Sequence, residues 1–588
     1  MTHIRDDVRA LDLRSSVELP RRSPVETHLV IRDSDELLRL CHWAADQEYY
    51  LSTMTVCDER MLEDNVFKRY IVLSSPDGHL AILEQPLAPN SVEYLSFRRA
   101  FPAVRPLELA ARDLFGLRPT NELVEETFWH HAPYPPDLYP LRKNRATEQL
   151  VAQFARHQPA VERVTPPPDG VVHLIVGPIH AGIIEPGQFR FHVAGEVVED
   201  VDITLGYKNR GIEKLFETGF QLTTGQRLAE CVSGDSSFVH SMAYCQAVES
   251  LVDVTLPEAT HYWRALLLEL ERLYNHVGDV GALIHDIAFD LIASEAAVMR
   301  ERLLRLNERL TGSRLLRGVN HPGGVGIDSP WRLPEVIAAV SQIADAFLAL
   351  LGRHILTNPA CRNRYLTTGV LTEGDVRAVG ATGLPARASG LRGQDFRTRH
   401  PYGAFALDGI GDELRELVAQ TFQDSRLAAQ PSKAPRRVAV FPSDLSGDAL
   451  ARLLVRVAEV ETSALIIRRL AESIEGLGEG TPTSLGSAFD QVLHRVASFE
   501  IGLGYAEGWR GDVFYFIMKG PGNTIFRCQP RDPSLYNWGA LRRAVVRKKK
   551  EATTGNGHVR KTGVWENILA DFPVINKSFN LSYAGYDG

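Results

Sequence analysis

Beyond residue 170 the apolar positions recur mostly at a helical spacing, over 212–230, 237–252, 259–276, 293–310, 334–356 and 449–474. A stripe of that period buries one helix face against a neighbour, so these segments predict a bundle. The earlier part differs. Residues 36–47 have helical spacing and 49–57 look extended. Two apolar runs, 66–74 and 79–84, flank Pro76-Asp77-Gly78 and predict a hairpin. Further strand pairs are predicted at 171–176 with 189–194, around a loop at 177–187, and at 512–518 with 524–528, around Gly520-Pro521-Gly522-Asn523. The fold class is therefore α+β: a small N-terminal α+β domain, then a mainly α-helical domain with a peripheral β-hairpin region. Consecutive prolines cannot continue a helix and Asp-Gly favours a turn, so Thr165-Pro166-Pro167-Pro168-Asp169-Gly170 marks the boundary. The expected division is 1–164, a linker at 165–170, and 171–588.

A chain of 588 residues with 44 % hydrophobic and 23 % charged residues supports two or three domains with a sizeable core. The most apolar helical stretch, 336–351, carries Ser341, Gln342 and Asp345, so it reads as a buried helix, and the chain is not expected to span a membrane. Met1-Thr2-His3-Ile4-Arg5-Asp6-Asp7 lacks the apolar stretch of a secretory signal. Cys41, Cys57, Cys231, Cys245, Cys361 and Cys528 form no CxxC or zinc spacing, which argues for free cytosolic thiols rather than disulfides or iron-sulfur ligands. A net charge of -8 gives no case for nucleic acid as a partner. Locally, 542–561 gathers Arg542, Arg543, Arg547, Lys548, Lys549, Lys550, Arg560 and Lys561. A solvated insertion and a contact for a partner subunit or anionic headgroups are the two readings.

Two segments carry the candidate chemistry: Val232-Ser233-Gly234-Asp235-Ser236-Ser237-Phe238-Val239-His240, and the stretch from Ile575 through Ser582-Tyr583-Ala584-Gly585 to Gly588. Both resemble the cysteine-bearing segments of the large subunit of membrane-bound nickel-iron hydrogenases. There one CxxC pair precedes a His-Ser-x-Ala-Tyr stretch, here His240-Ser241-Met242-Ala243-Tyr244, and another ends the polypeptide. The four ligand positions read Ser233, Ser236, Ser582 and Gly585. The family includes the 49-kDa subunit of respiratory complex I, and further segments are similar to it in order. They include Gly177-Pro178-Ile179-His180, Arg210-Gly211-Ile212-Glu213-Lys214, Leu268-Glu269-Leu270-Glu271-Arg272-Leu273-Tyr274-Asn275-His276, Arg387-Ala388-Ser389-Gly390, Arg399-His400-Pro401-Tyr402 and Glu507-Gly508-Trp509-Arg510-Gly511. Phe101-Pro102-Ala103 and Glu108-Leu109-Ala110-Ala111-Arg112-Asp113-Leu114-Phe115-Gly116-Leu117 resemble the complex I 30-kDa subunit. The resemblance implies a 30-kDa-like domain fused to a 49-kDa/hydrogenase-large-subunit-like domain, nearer the hydrogenase-4 and formate-hydrogenlyase branch.

A nickel-iron centre needs four soft thiolates. Serine hydroxyls resist deprotonation, Gly585 offers no ligand, and Cys231 and Cys245 lie at the wrong offsets. No metal and no cofactor is expected on this chain. Of the quinone-binding pair in complex I, His180 matches the loop's first histidine, but the second falls at Ile184 or Glu185, and the expected tyrosine is absent around 227–233. What the resemblance leaves is proton handling. Glu185 matches a glutamate that passes protons from the metal, a role suited to a buried carboxylate of raised pKa; the alternative is a loop carboxylate held by backbone N–H groups or an arginine. Arg510 resembles the arginine facing the metal and is a candidate cavity cation, or else pairs with Asp235 or Asp587. His180, Asp235 and His240 are the candidate cavity lining, with a satisfied core histidine as the alternative for His240. Glu271, Arg272, Asn275 and His276 lie about one helical turn apart and read as architectural.

The implied function is a peripheral-arm subunit, on the cytoplasmic side of the membrane, of a complex I-like or hydrogenase-related oxidoreductase. An iron-sulfur cluster in a small partner subunit supplies electrons to quinone or another small acceptor, and antiporter-like and complex I-like membrane subunits move protons or ions. A catalytically silent scaffold joining those partners is the alternative. No dinucleotide fingerprint follows a predicted strand, so NADH chemistry belongs to another subunit.

Overall fold

Strands Ser16–Glu18, Glu26–Ile31, Leu80–Pro86, Phe67–Ser74 and Tyr50–Asp58 lie side by side in that order in the computed structural model. The described residues are 16–19, 26–121, 128–129, 134–135, 137–157, 166–182, 184–327, 333–391, 393, 395–421, 445–478, 481–546, 548–549 and 564–588. Met1 to Asp7, Thr165, and Arg547, Lys550, Arg560 and Lys561 of the basic stretch fall outside them. The predicted hairpin forms, running from Lys68 opposite Pro86 to Ser74 opposite Leu80. Helix Ser34–Asp46, capped by the Asp33 carboxylate on the Glu36 N–H, packs on one face.

The sheet is antiparallel except where Glu26–Ile31 runs parallel to Leu80–Pro86, and antiparallel strands often leave one face wet, yet Phe67–Ser74 and Leu80–Pro86 are buried almost throughout. A second sheet, Ile501–Glu507, Asp512–Lys519 and Ile525–Arg531, explains it. Its Phe514, Phe516 and Met518 pack against Cys57, Tyr70, Val72 and Ile82. Strand Ile501–Glu507 escaped the sequence pattern because Gly502 and Gly504 interrupt it. Both are needed for close approach: an added Cβ would collide with the carbonyl oxygens of Ala247 and Ala243 on helix Ser237–Glu249.

Helices Glu258–Asp286 and Ala449–Leu477 pack along each other, with Asp290–Thr311 and Leu333–His354 outside them. Glu258–Asp286 continues past the predicted end at His276, burying Val277, Val280, Leu283 and Ile284. Leu333–His354 is long and apolar enough to cross a membrane by length and composition, and its Val336, Val340 and Phe347 sit in the main core.

The predicted helix over 212–230 is broken. Ile212–Gly219 ends at an extended Phe220, and a separate turn of helix covers Gln226–Ala229. Between them Gln221 bridges to Thr524, and the Leu222 N–H donates to the Asn523 carbonyl, so tertiary pairing takes backbone groups a helix would use. The 172–176/189–194 pair forms and gains a third strand, Val197–Thr204. Its Phe189, Phe191 and Val201 pack with Trp538 and Leu541 of helix Ser534–Val545 and with Ile575 and Phe579. This anchors the 177–187 loop beside the C-terminal helix Tyr583–Asp587: a Cβ on Gly187 would stand 2.7 Å from the Tyr583 ring.

Candidate functional site

The two segments that resemble ligand loops meet, although 349 residues separate their contact: Ser233 Oγ donates to Ser582 Oγ at 2.9 Å. Ser582 is also the N-cap of helix Tyr583–Asp587, accepting the Gly585 N–H at 2.9 Å. Ser236 stands at the start of helix Ser237–Glu249. Its hydroxyl oxygen accepts from Trp509 Nε1 at 3.1 Å and from Arg510 Nη1 at 3.0 Å.

Arg510 organises the site. Its Nη1 and Nη2 donate to the two oxygens of Asp235 at 2.6 and 2.7 Å, and its Nε donates to the Asn580 carbonyl at 2.6 Å. Nη1 lies 3.4 Å from Ser233 Oγ, and the guanidinium carbon is 3.9 Å from the Trp509 ring centre. Burial opposes the charge on both partners, but their mutual attraction outweighs it, holding Arg510 above and Asp235 below their ordinary pKa ranges. The alternative partner, Asp587, is engaged elsewhere: its oxygens accept the Gly206 and Lys208 N–H groups, each at 2.7 Å. Burial, opposed by those two bonds and aided by Glu185, pushes its pKa up to about 7.

The fourth ligand position is closed by a residue the sequence reading missed. A Cβ on Gly585 would lie 2.6 Å from Asp532 Cγ. Asp532 Oδ2 accepts from His240 Nε2 at 3.0 Å, and the Tyr515 hydroxyl lies 3.1 Å from His240 Nδ1. Burial works against the Asp532 charge, yet the His240 hydrogen bond and charge, with Arg510, bring its pKa down to about 2. His240 is thus the satisfied core histidine. The only local signal for Asp532 was an Asp-Pro turn after a strand, which says nothing of what faces it.

Glu185 corrects an expectation. It is not a buried carboxylate: its side chain is 39 % exposed, Oε2 accepts the Ala584 N–H at 2.9 Å, and Lys208 Nζ lies 3.9 Å from Oε1. His180 folds onto its own loop, donating from Nε2 to the Gly187 carbonyl at 2.7 Å, and makes none of the described contacts to Arg510 or Asp235. Glu271, read as architectural, lies behind the site. Its oxygens accept the Phe238 and Val239 N–H groups at 2.7 and 3.1 Å, and burial pushes its pKa up to about 8 against those bonds.

Two hydroxyls, Ser233 and Ser236, bonded to a guanidinium, a third, Ser582, bonded to Ser233, no thiolate and no room for a side chain at Gly585 do not fit a soft-ligand bimetallic centre. Among the described residues no group of three His, Cys, Asp or Glu is placed to hold a metal ion.

The chain is similar to subunits of membrane-bound hydrogenases and of NADH-quinone oxidoreductases. Residues 287–407 match the family described as respiratory-chain NADH dehydrogenase, 49 Kd subunit. The chain is a homologue of formate hydrogenlyase subunit 5 of Escherichia coli (strain K12), 29 % identical over 499 residues that cover 84 % of this chain and 80 % of that one. It is 28 % identical over 459 residues to hydrogenase-4 component G of the same organism, covering 76 % and 71 %. A chain in the structure of the membrane-bound sulfane sulfur reductase, an archaeal respiratory membrane complex, shares the fold with a TM-score of 0.58 at 24 % identity, over 72 % of this chain and all of that one.

Proposed function

We propose that the chain is a peripheral-arm subunit of a membrane-bound, complex I-like oxidoreductase, working without a nickel-iron centre of its own. The observation that carries this reading is the Arg510–Asp235 pair, bonded to Ser233 and Ser236 where the homologous fold would present thiolates. An iron-sulfur cluster in a small partner subunit supplies electrons, and quinone or another small acceptor receives them at the rim. There the Asp235 side chain is 39 % exposed, with Gly234 and Cys231 beside it at the surface. Arg510 is a fixed cation for charge that develops on the acceptor. Asp235 Oδ1 lies 3.2 Å from Ser233 Oγ, and Ser233 bonds to Ser582, so these bonds tie the rim carboxylate to the C-terminal helix. Glu185, on the next turn of contacts at Ala584, exchanges protons with water.

Partner docking has a surface to use. Val172 and Ile175 on strand Val172–Val176 and Ile179 in the loop expose 64, 48 and 83 % of their surface, which suits an apolar face of a membrane subunit at the cytoplasmic side. The division into 1–164, 165–170 and 171–588 belongs to the same proposal.

A second reading, a catalytically silent scaffold between the iron-sulfur and membrane subunits, is favoured by the same ion pair, because a bidentate bond fills the position where chemistry would occur. The complex, purified from detergent-solubilised membranes and returned to vesicles, separates them. Redox-driven ion uptake with an iron-sulfur partner and no stoichiometric nickel supports the first reading. An assembled complex without such uptake supports the scaffold, and one nickel per chain overturns both.

A further inference from the structure

Behind the site, between helices Glu258–Asp286 and Ala449–Leu477, lies a set of charged side chains that the function above does not use. Arg272 Nε meets Glu269 at 3.1 Å, and its Nη1 is 3.5 Å from Glu459. Arg397 bonds Glu269 at 2.9 Å and Asp395 at 2.7 Å. Arg387 Nη1 bonds Glu507 at 2.8 Å, its Nη2 forms an ion pair with Glu459 at 2.8 Å, and it lies 3.6 Å from Asp395. None of these seven residues exposes more than 7 % of its surface. Four carboxylates, Glu269, Asp395, Glu459 and Glu507, therefore share three guanidinium groups, Arg272, Arg387 and Arg397. The adjoining pairs Arg456–Asp279 and Arg531–Asp512 are each internally balanced and leave the excess in place.

A lone buried negative charge is costly and takes up a proton where it can. Two groups compete for it. His276 donates from Nε2 to Glu459 at 2.7 Å, but its buried Nδ1 has no hydrogen-bond partner, so a second ring proton would have nowhere to bond. Among the carboxylates, Glu269 meets two guanidiniums, Asp395 has Arg397 beside Arg387, and Glu459 has Arg272 and His276 beside Arg387. Glu507 has Arg387 alone, with the Phe396 N–H at 3.2 Å on its other oxygen.

We propose that this network is a buried proton-binding site, in which Glu507 takes one proton from bulk water, carboxylate becoming carboxylic acid, and holds it in the interior beside the Arg510–Asp235 pair. The connection is short. Arg272 donates to the Glu507 and Gly508 carbonyls at 2.6 and 2.9 Å, and that backbone leads directly into Trp509 and Arg510. Burial first, then the charges of Asp395 and Asp512, opposed by Arg387, push the Glu507 pKa up to about 7. Tyr402, whose hydroxyl accepts the Glu507 N–H at 2.8 Å, and Tyr50, bonded to Asp512, complete the titratable surroundings.

The test uses the assembled complex in detergent, and it does not depend on redox activity. Infrared difference spectra across pH should show, among buried carboxylic acid C=O bands to which Glu271 and Asp587 also contribute, one that fades as pH rises through about 7 and that belongs to Glu507. Glu507→Gln should assemble, lose that band, and lack the wild type's fall in melting temperature between pH about 4.5 and about 7, the span in which the folded carboxyl holds a proton that the unfolded one has lost. Glu459→Gln should melt lower than wild type on both sides of neutrality, because it removes an ionised partner of Arg387 and Arg272. A band that survives Glu507→Gln, its loss in Glu459→Gln instead, or a Glu507→Gln chain that fails to assemble at any pH overturns the proposal.

Discussion

Asp532 lies so close to Gly585 that any side chain at 585 would have to displace its carboxylate, with the new Cβ 2.6 Å from Asp532 Cγ. The same carboxylate is held by His240 at 3.0 Å and by the Ser534 N–H at 2.7 Å, so it cannot move without breaking both bonds. Gly585→Ala should therefore lower stability by about 1–3 kcal/mol, the usual cost of overpacking a filled interior. Thermal melting of the assembled complex checks this. Gly585→Ala with Asp532→Ser should recover part of the loss.

The Arg510–Asp235 pair should break asymmetrically. Asp235→Asn leaves a guanidinium that is 5 % exposed without its counter-charge, at a cost of about 3–5 kcal/mol. Arg510→Met leaves a carboxylate that is 39 % exposed and can turn to water, so it should cost less. Denaturant midpoints of the two variants and of their combination measure both the order and the coupling.

Acid sensitivity follows from Asp532. Its folded pKa, about 2, lies below the ordinary 3.8, so its contribution is present above pH about 4 and is lost as pH falls toward 2. The shift corresponds to roughly 2 kcal/mol for a fully buried group. The stability advantage of wild type over Asp532→Asn should be constant near neutrality and shrink below pH about 4, as acid titration of the folded signal would show.

Ser582→Ala removes the cap of the C-terminal helix and the partner of Ser233 in one step. A loss of about 1 kcal/mol is expected, with faster hydrogen exchange at the Gly585 amide. Unchanged exchange there would mean that the Glu185 bond to Ala584 alone holds the helix.

Glu185→Gln keeps an acceptor for the Ala584 N–H but has no titratable proton, so assembly should survive while ion uptake per complex falls. Because the carboxylate is half-exposed and water can partly substitute, the fall should sit near the low end of general acid–base effects, about 10². Unchanged uptake would leave Glu185 a purely structural anchor.

Local pattern was enough for much of this molecule. Helical periodicity located Asp290–Thr311 and Leu333–His354 to within a few residues, because an apolar stripe must face a core whatever that core is. Residue identity alone showed that Ser233, Ser236, Ser582 and Gly585 carry no thiol. Spatial questions were of another kind. Whether Arg510 pairs with Asp235 or Asp587, whether Glu185 is buried, and what closes the space at Gly585 all depend on contacts between residues hundreds of positions apart. The break at Phe220 and the glycine-bearing strand Ile501–Glu507 depend likewise on backbone groups of other elements. The excess carboxylate at Glu507 is the extreme case. Each charge looks ordinary in its own segment, and only when tertiary packing excludes water and draws four carboxylates around three arginines does their sum become a physical constraint.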